Sequence, residues 1–214
     1  MNAKRHSKRK VLLTGFGPFG DAPRNPSLEA VRALDGREVA GHVLVARELP
    51  VEFGVARDAL RRAMREVRPR LVLCTGLAAT RTAVSLERVA INVDDARIPD
   101  NAGRQPVDVP VVRGGPAAYF STLPLKSMLR ALQAEGIPAE VSQTAGTFVC
   151  NHVFYGLMHQ LRNRGGIRGG FVHVPPVDGD GPFTPALLER ALGLCIEVAL
   201  RTPVDVPLAA GAVD

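Results

Sequence analysis

Residues 11–20 read V-L-L-T-G-F-G-P-F-G, a short apolar run that ends on glycines at 15, 17 and 20. The G-x-G-x-x-G spacing after a strand is the opening of a dinucleotide-binding strand–turn–helix, in which the helix starts at the third glycine and its free N–H groups meet a pyrophosphate. Here residues 21–25, D-A-P-R-N, come first, and the next helix opens at Asn25-Pro26-Ser27, an N-cap followed by proline at N1. The spacers Phe16, Pro18 and Phe19 are bulky where a phosphate would have to approach. The stretch therefore reads as a strand closed by a rigid turn, with no nucleotide. Ligand crevices of open α/β sheets lie at the carboxyl ends of the strands, so Phe16 and Phe19 are expected to line an apolar slot there.

Outward from this strand the pattern repeats. Runs rich in Val, Ile and Leu recur at 42–46, 71–75, 139–142 and 170–174, and helical spacing is found at 28–34, 53–67, 125–135, 151–163 and 185–201. Alternation of this kind predicts an α/β fold with a largely parallel sheet and helices on both faces. With 214 residues, 46% of them hydrophobic, the chain fits one domain, expected over residues 11–202. The segment 81–112 breaks the rhythm. It begins with a β-rich S-L-E-R-V-A-I-N-V and continues as a long loop of Asp, Asn, Gly and Pro, and long loops in compact domains are often functional. The tail from Pro203 is expected to be mobile.

The formal charge is +6, but five Lys and Arg lie in the first ten residues, M-N-A-K-R-H-S-K-R-K, on a nearly neutral body. Residues 1–10 read as a solvated, disordered arm, and no nucleic-acid partner is expected. No apolar signal core follows the arm and no apolar run could span a bilayer, so a soluble, cytoplasmic protein without membrane contact is expected.

Three cysteines without C-x-x-C spacing indicate neither a disulfide framework nor a zinc site. Cys74 in L-V-L-C-T-G and Cys195 in L-G-L-C-I-E have the flanks of inert core residues. Cys150 differs, because in T-A-G-T-F-V-C-N-H-V-F-Y-G-L-M-H it falls at a helix start, where unpaired N–H groups and the helix dipole favour a thiolate. A nucleophilic thiol needs a base. His152 is nearest, but i and i+2 on a helix point to different sides, which suits packing or capping; His159 lies beyond the first turn. His173 ends the strand G-G-F-V-H-V before Pro175-Pro176, and its spacing permits contact with Cys150. For a third, orienting group, Glu87, Asp94, Asp95 and Asp178 remain open.

Several blocks together resemble the pyroglutamyl-peptidase I family of cysteine peptidases. They are L-L-T-G-F-G-P-F-G with the following N-P-S, S-L-E-R-V-A-I-N-V-D-D-A-R-I-P-D-N, S-Q-T-A-G-T-F-V-C-N-H-V-F-Y-G-L-M-H and G-G-F-V-H-V-P, spread over residues 11–175. The resemblance implies a three-layer αβα sandwich, a homotetramer, no metal or organic cofactor, and peptides with N-terminal pyroglutamate as substrates. It also implies a Cys-His-Glu triad of Cys150, His173 and Glu87. Backbone N–H groups near Cys150 are natural oxyanion donors, and Arg97 in D-D-A-R is expected to add positive charge. A lactam carries no charged amine, so an apolar slot walled by Phe16, Phe19, Ile98, Phe148 and Val149 is expected to select it. Leu77-Ala78-Ala79-Thr80 stands where the family commonly has Gln-Ala-Gly-Gly, so an amide that could contact substrate or the Glu87 segment is missing.

Overall fold

The protein is described here by a computed structural model covering residues 8–177 and 181–211. In chain order the elements are β1 (Arg9–Phe16), α1 (Pro26–Ala33), β2 (Glu38–Val39), β3 (His42–Leu49), α2 (Val55–Val67), β4 (Leu71–Leu77) and β5 (Val84–Glu87). There follow β6 (Val89–Ile91), β7 (Ala118–Phe120), α3 (Leu125–Ala134), β8 (Ala139–Ser142), α4 (Val149–Leu161), β9 (Arg168–Val174) and α5 (Pro185–Arg201). Seven strands form one sheet in the order β2-β3-β1-β4-β9-β5-β8, and β6 and β7 make a separate antiparallel ribbon.

The four central strands β3, β1, β4 and β9 are parallel neighbours. Covered on both faces, β1, β4 and β9 are almost continuously buried, which is why they read as unbroken apolar runs. Side chains alternate across the sheet. Leu13, Leu73 and Val172 pack with α1, α3 and α5, whereas Leu12, Val72 and Phe171 pack with α2 and α4. The result is the expected αβα arrangement, with one refinement: β5 runs against β9 and carries β8 parallel to itself. That reversal sets Ser85 opposite His173 and Glu87 opposite Phe171.

The glycines of the opening turn have a packing role. A Cβ on Gly15 would lie 2.5 Å from Leu28 Cα, so only glycine lets α1 approach β1 so closely. Asn25 caps α1, its side chain accepting from the Ser27 N–H, so the helix begins well past Gly20.

Described residues near both ends of the chain make contacts with the body of the fold. β1 begins at Arg9, and Arg9 and Lys10 pair with His42 and Val43, while Lys8 meets Glu38; residues 1–7 of the anticipated arm lie outside the described residues. Near the other end, Asp205 accepts from the Lys126 and Ser127 N–H groups at 2.9 and 2.8 Å and from the Ser127 hydroxyl at 2.8 Å. It caps α3 from outside, where Pro124 offers no side-chain cap.

Candidate active site

Cys150 is the second residue of α4. Phe148 precedes the helix in extended conformation, and no side chain caps it, so the first-turn N–H groups stay available. The first turn is fastened by buried Asn151, which accepts from the Ile91 N–H and donates to the carbonyls of Ile91 and Val93 at 2.9–3.0 Å. This sets Cys150 over the carboxyl end of β4. A Cβ added to Gly76 would lie 2.9 Å from Cys150 Sγ and 3.0 Å from the Phe171 ring. Gly76 is in turn the β4 partner of His173 on β9, so thiol and imidazole belong to the same edge and the same face of the sheet.

His173, 5% exposed, rests on Phe171 with ring centroids 4.8 Å apart. Its Nδ1 is 2.8 Å from Oε1 of Glu87, which is fully buried on β5. The same Oε1 accepts from Arg81 Nη1 at 2.6 Å, and Arg81 Nη2 donates to the Thr144 carbonyl at 2.9 Å. Oε2 of Glu87 is buried with no partner. The sequence marks Arg81 only as the arginine after Leu77-Ala78-Ala79-Thr80, at the start of the segment 81–112, and assigns it no role.

The thiol itself departs from expectation. Burial pushes Cys150 up to about 12, the nearby Glu87 charge acts in the same direction, and Arg81 opposes both. Burial and the Glu87 charge thus work against the thiolate that a helix start favours. Burial raises Cys74 and Cys195 to about 12 as well, so position and not acidity sets Cys150 apart. Cys74 and Cys195 are fully buried, whereas Cys150 is half-buried and borders a cavity.

That cavity holds about 420 Å³ and lies beside Cys150. Phe16, Phe19, Phe148, Val149, Ile98 and Arg97 all line it. Val51, Leu77, Ala79 and Thr147 complete its walls, with Asn25 and Asp95 as further polar groups. Phe148 is clamped edge-on between Phe19 and Phe53, at 5.5 and 5.2 Å between centroids. Phe53 looked from sequence like a helix residue; it precedes α2 and braces the cavity wall instead.

The remaining candidates separate cleanly. Asp94 binds His152 Nδ1 at 2.8 Å, and the Gly54 N–H donates to His152 Nε2 at 3.0 Å, which fixes a neutral ring engaged at both nitrogens. His159 meets the Tyr119 hydroxyl, with burial and then Arg162 and Arg57 lowering its proton affinity. Asp95 borders the cavity and exchanges hydrogen bonds with Thr147, while Asp178 lies outside the described residues. Among the described residues no three His, Cys, Asp or Glu converge as a metal site.

A model of the pyroglutamyl peptidase family matches residues 9–182. The pyrrolidone-carboxylate peptidase of Klebsiella pneumoniae (strain 342) is 54% identical over 209 residues, covering 94% of this chain and 98% of that one. That of Cupriavidus necator is 55% identical over 207 residues, with 92% and 96% covered. Among solved structures, pyroglutamyl peptidase I from Bacillus amyloliquefaciens superposes with a TM-score of 0.91 at 41% identity, covering 95% of this chain and all of that one. A Pyrococcus furiosus pyrrolidone carboxyl peptidase variant gives 0.86 at 39% identity, with 91% and 100% covered. At these identities and over nearly the whole length, the chain belongs to the pyroglutamyl peptidase family of cysteine peptidases.

Proposed function

We propose that the chain hydrolyses the bond after an N-terminal pyroglutamyl residue of peptides, with Cys150 as nucleophile, His173 as general base and acid, and Glu87 as its orienting carboxylate. The observation that carries this reading is the placement of a thiol and a carboxylate-held imidazole on one sheet face, beside a mostly apolar cavity. Glu87 engages Nδ1 and leaves Nε2 of His173 to move protons.

His173 takes the thiol proton as Sγ bonds to the pyroglutamyl carbonyl carbon. The developing oxyanion meets the uncapped N–H groups of α4, with Arg97 adding positive charge from the cavity wall. The C–N bond then breaks, the leaving amine takes the proton from His173, and a thioester remains. Water attacks that thioester with His173 as base, the C–S bond breaks, and pyroglutamate leaves as the thiol regains its proton.

Phe16, Phe19, Phe148, Val149 and Ile98 would bury a ring with no charged amine, whereas a free α-amino group would lose its hydration against these apolar walls. The same reading includes a homotetramer in the cytoplasm; three unpaired cysteines accord with a reducing compartment. No helix among the described residues is long and apolar enough to cross a membrane. The test is hydrolysis of a pyroglutamyl amide dye beside its prolyl and glutamyl analogues, with and without a thiol alkylator. Alkylator-sensitive release from the pyroglutamyl amide alone is expected; equal rates on the prolyl amide, or release indifferent to alkylation, would overturn the reading.

A further inference from the structure

Glu87 is fully buried, and a buried carboxylate is stable as an anion only when a positive charge or several hydrogen bonds compensate it. The structure supplies little of either. Both donors, His173 Nδ1 and Arg81 Nη1, converge on Oε1, and Oε2 is buried without a partner. A neutral imidazole contributes no charge. Arg88, the next residue, turns to the Ala210 carbonyl, and Glu140 takes a hydrogen bond from Ser85. Asp95 and Arg97 border the cavity beyond Cys150. The cation paired with Glu87 is Arg81, and its second Nη ties the same pair to Thr144, in the loop that leads into α4 and Cys150.

We infer that Arg81 is a positioning residue that keeps Glu87 ionised, so that Glu87 can hold the His173 tautomer that the proton transfers require. This deepens the peptidase reading above and rests on it. Loss of the Arg81 charge has one sign for every ionisable group nearby. Glu87, His173, Cys150 and the neighbouring Cys74 each hold a proton more tightly when a cation leaves. The acid limb of kcat/KM reports the coupled Glu87–His173 pair, and it therefore moves to higher pH. An upward displacement of the acid limb is therefore expected for Arg81→Gln.

The experiment measures kcat/KM against pH on the pyroglutamyl amide dye, and the His173 ring titration by NMR, in the unaltered chain, Arg81→Gln and Arg81→Lys. Expected are an acid limb and a His173 titration both displaced upward in Arg81→Gln, and both returned most of the way by Arg81→Lys. A lower kcat with neither curve displaced would mean a merely structural role and would overturn the inference. If Arg81→Gln does not fold, Arg81→Lys decides alone: a profile near that of the unaltered chain supports the charge role, and an upward displacement despite the retained charge defeats it. Because the NMR titration needs no turnover, the Arg81 inference and the peptidase reading can fail separately. An unaltered chain that releases no dye sinks the peptidase reading, whatever the titration shows.

Discussion

Cys150 sits at a helix start, yet burial and the Glu87 charge push its thiol up, with Arg81 opposing both. On the proposed mechanism His173 takes the thiol proton at the moment of attack, which makes the pair inseparable. Cys150→Ser should abolish turnover, while Cys74→Ala and Cys195→Ala retain it. His173→Ala should cost orders of magnitude in kcat and Glu87→Gln less, since the ring keeps its place though the charge that fixes its tautomer is lost. His152→Ala should act differently, because it strips the hydrogen bonds from buried Asp94 and from the Gly54 N–H. About 1–3 kcal/mol of stability should be lost in a denaturant titration while kcat is largely kept. In the slot, truncating Phe16 or Phe19 removes roughly 40 Å² of apolar contact with the ring, on the order of 1 kcal/mol, so KM should rise several-fold with kcat changed less. Cys150, the three histidines and these phenylalanines could be weighed from sequence because their chemistry is local. Arg81 could not be, since nothing in the sequence tells which arginine turns inward to a buried carboxylate.

At the scale of elements, the alternation of strands and helices was legible because β1, β4 and β9 are buried on both faces and the helices keep an apolar stripe. The reversed direction of β5 and β8 was not, because strand periodicity is the same either way. Nor were β2 and β7, at two and three residues too short to carry a pattern. Asp205 shows the same limit at the chain end. Burial works against its charge, but hydrogen bonds from Lys126, Ser127 and Val206 outweigh this and hold its carboxyl below the usual range. Its stabilising effect is therefore present above the unfolded carboxylate range and fades as pH falls through the lowered folded value. Asp205→Ala should cost about 1 kcal/mol near neutral pH, the usual worth of a helix cap. Thermal unfolding should show that deficit shrinking in strong acid; a deficit constant with pH would contradict the capping role. At the carboxyl end of β4, Gly76→Ala should depress kcat by pushing on Cys150 Sγ and Phe171.

The whole molecule assembles its site from distant parts of the chain. Glu87 and His173 meet across 86 residues through the antiparallel β5–β9 pairing, while Cys150 arrives on a helix over β4. No segment can form the site alone, so loss of activity in denaturant should coincide with loss of helix and sheet by far-UV circular dichroism. Activity that survives past that transition, or fails well before it, would mean the site is not built by the completed sheet. On the proposed mechanism Cys150 attacks the pyroglutamyl carbonyl and carries the acyl group as a thioester. The most direct measurement of this step is mass spectrometry of enzyme quenched in acid during turnover of an activated pyroglutamyl ester. A single pyroglutamyl adduct on the peptide containing Cys150, lost on brief treatment with hydroxylamine and absent from Cys150→Ser, is the predicted result. An adduct on Cys74 or Cys195, or full turnover by Cys150→Ser, would contradict the account.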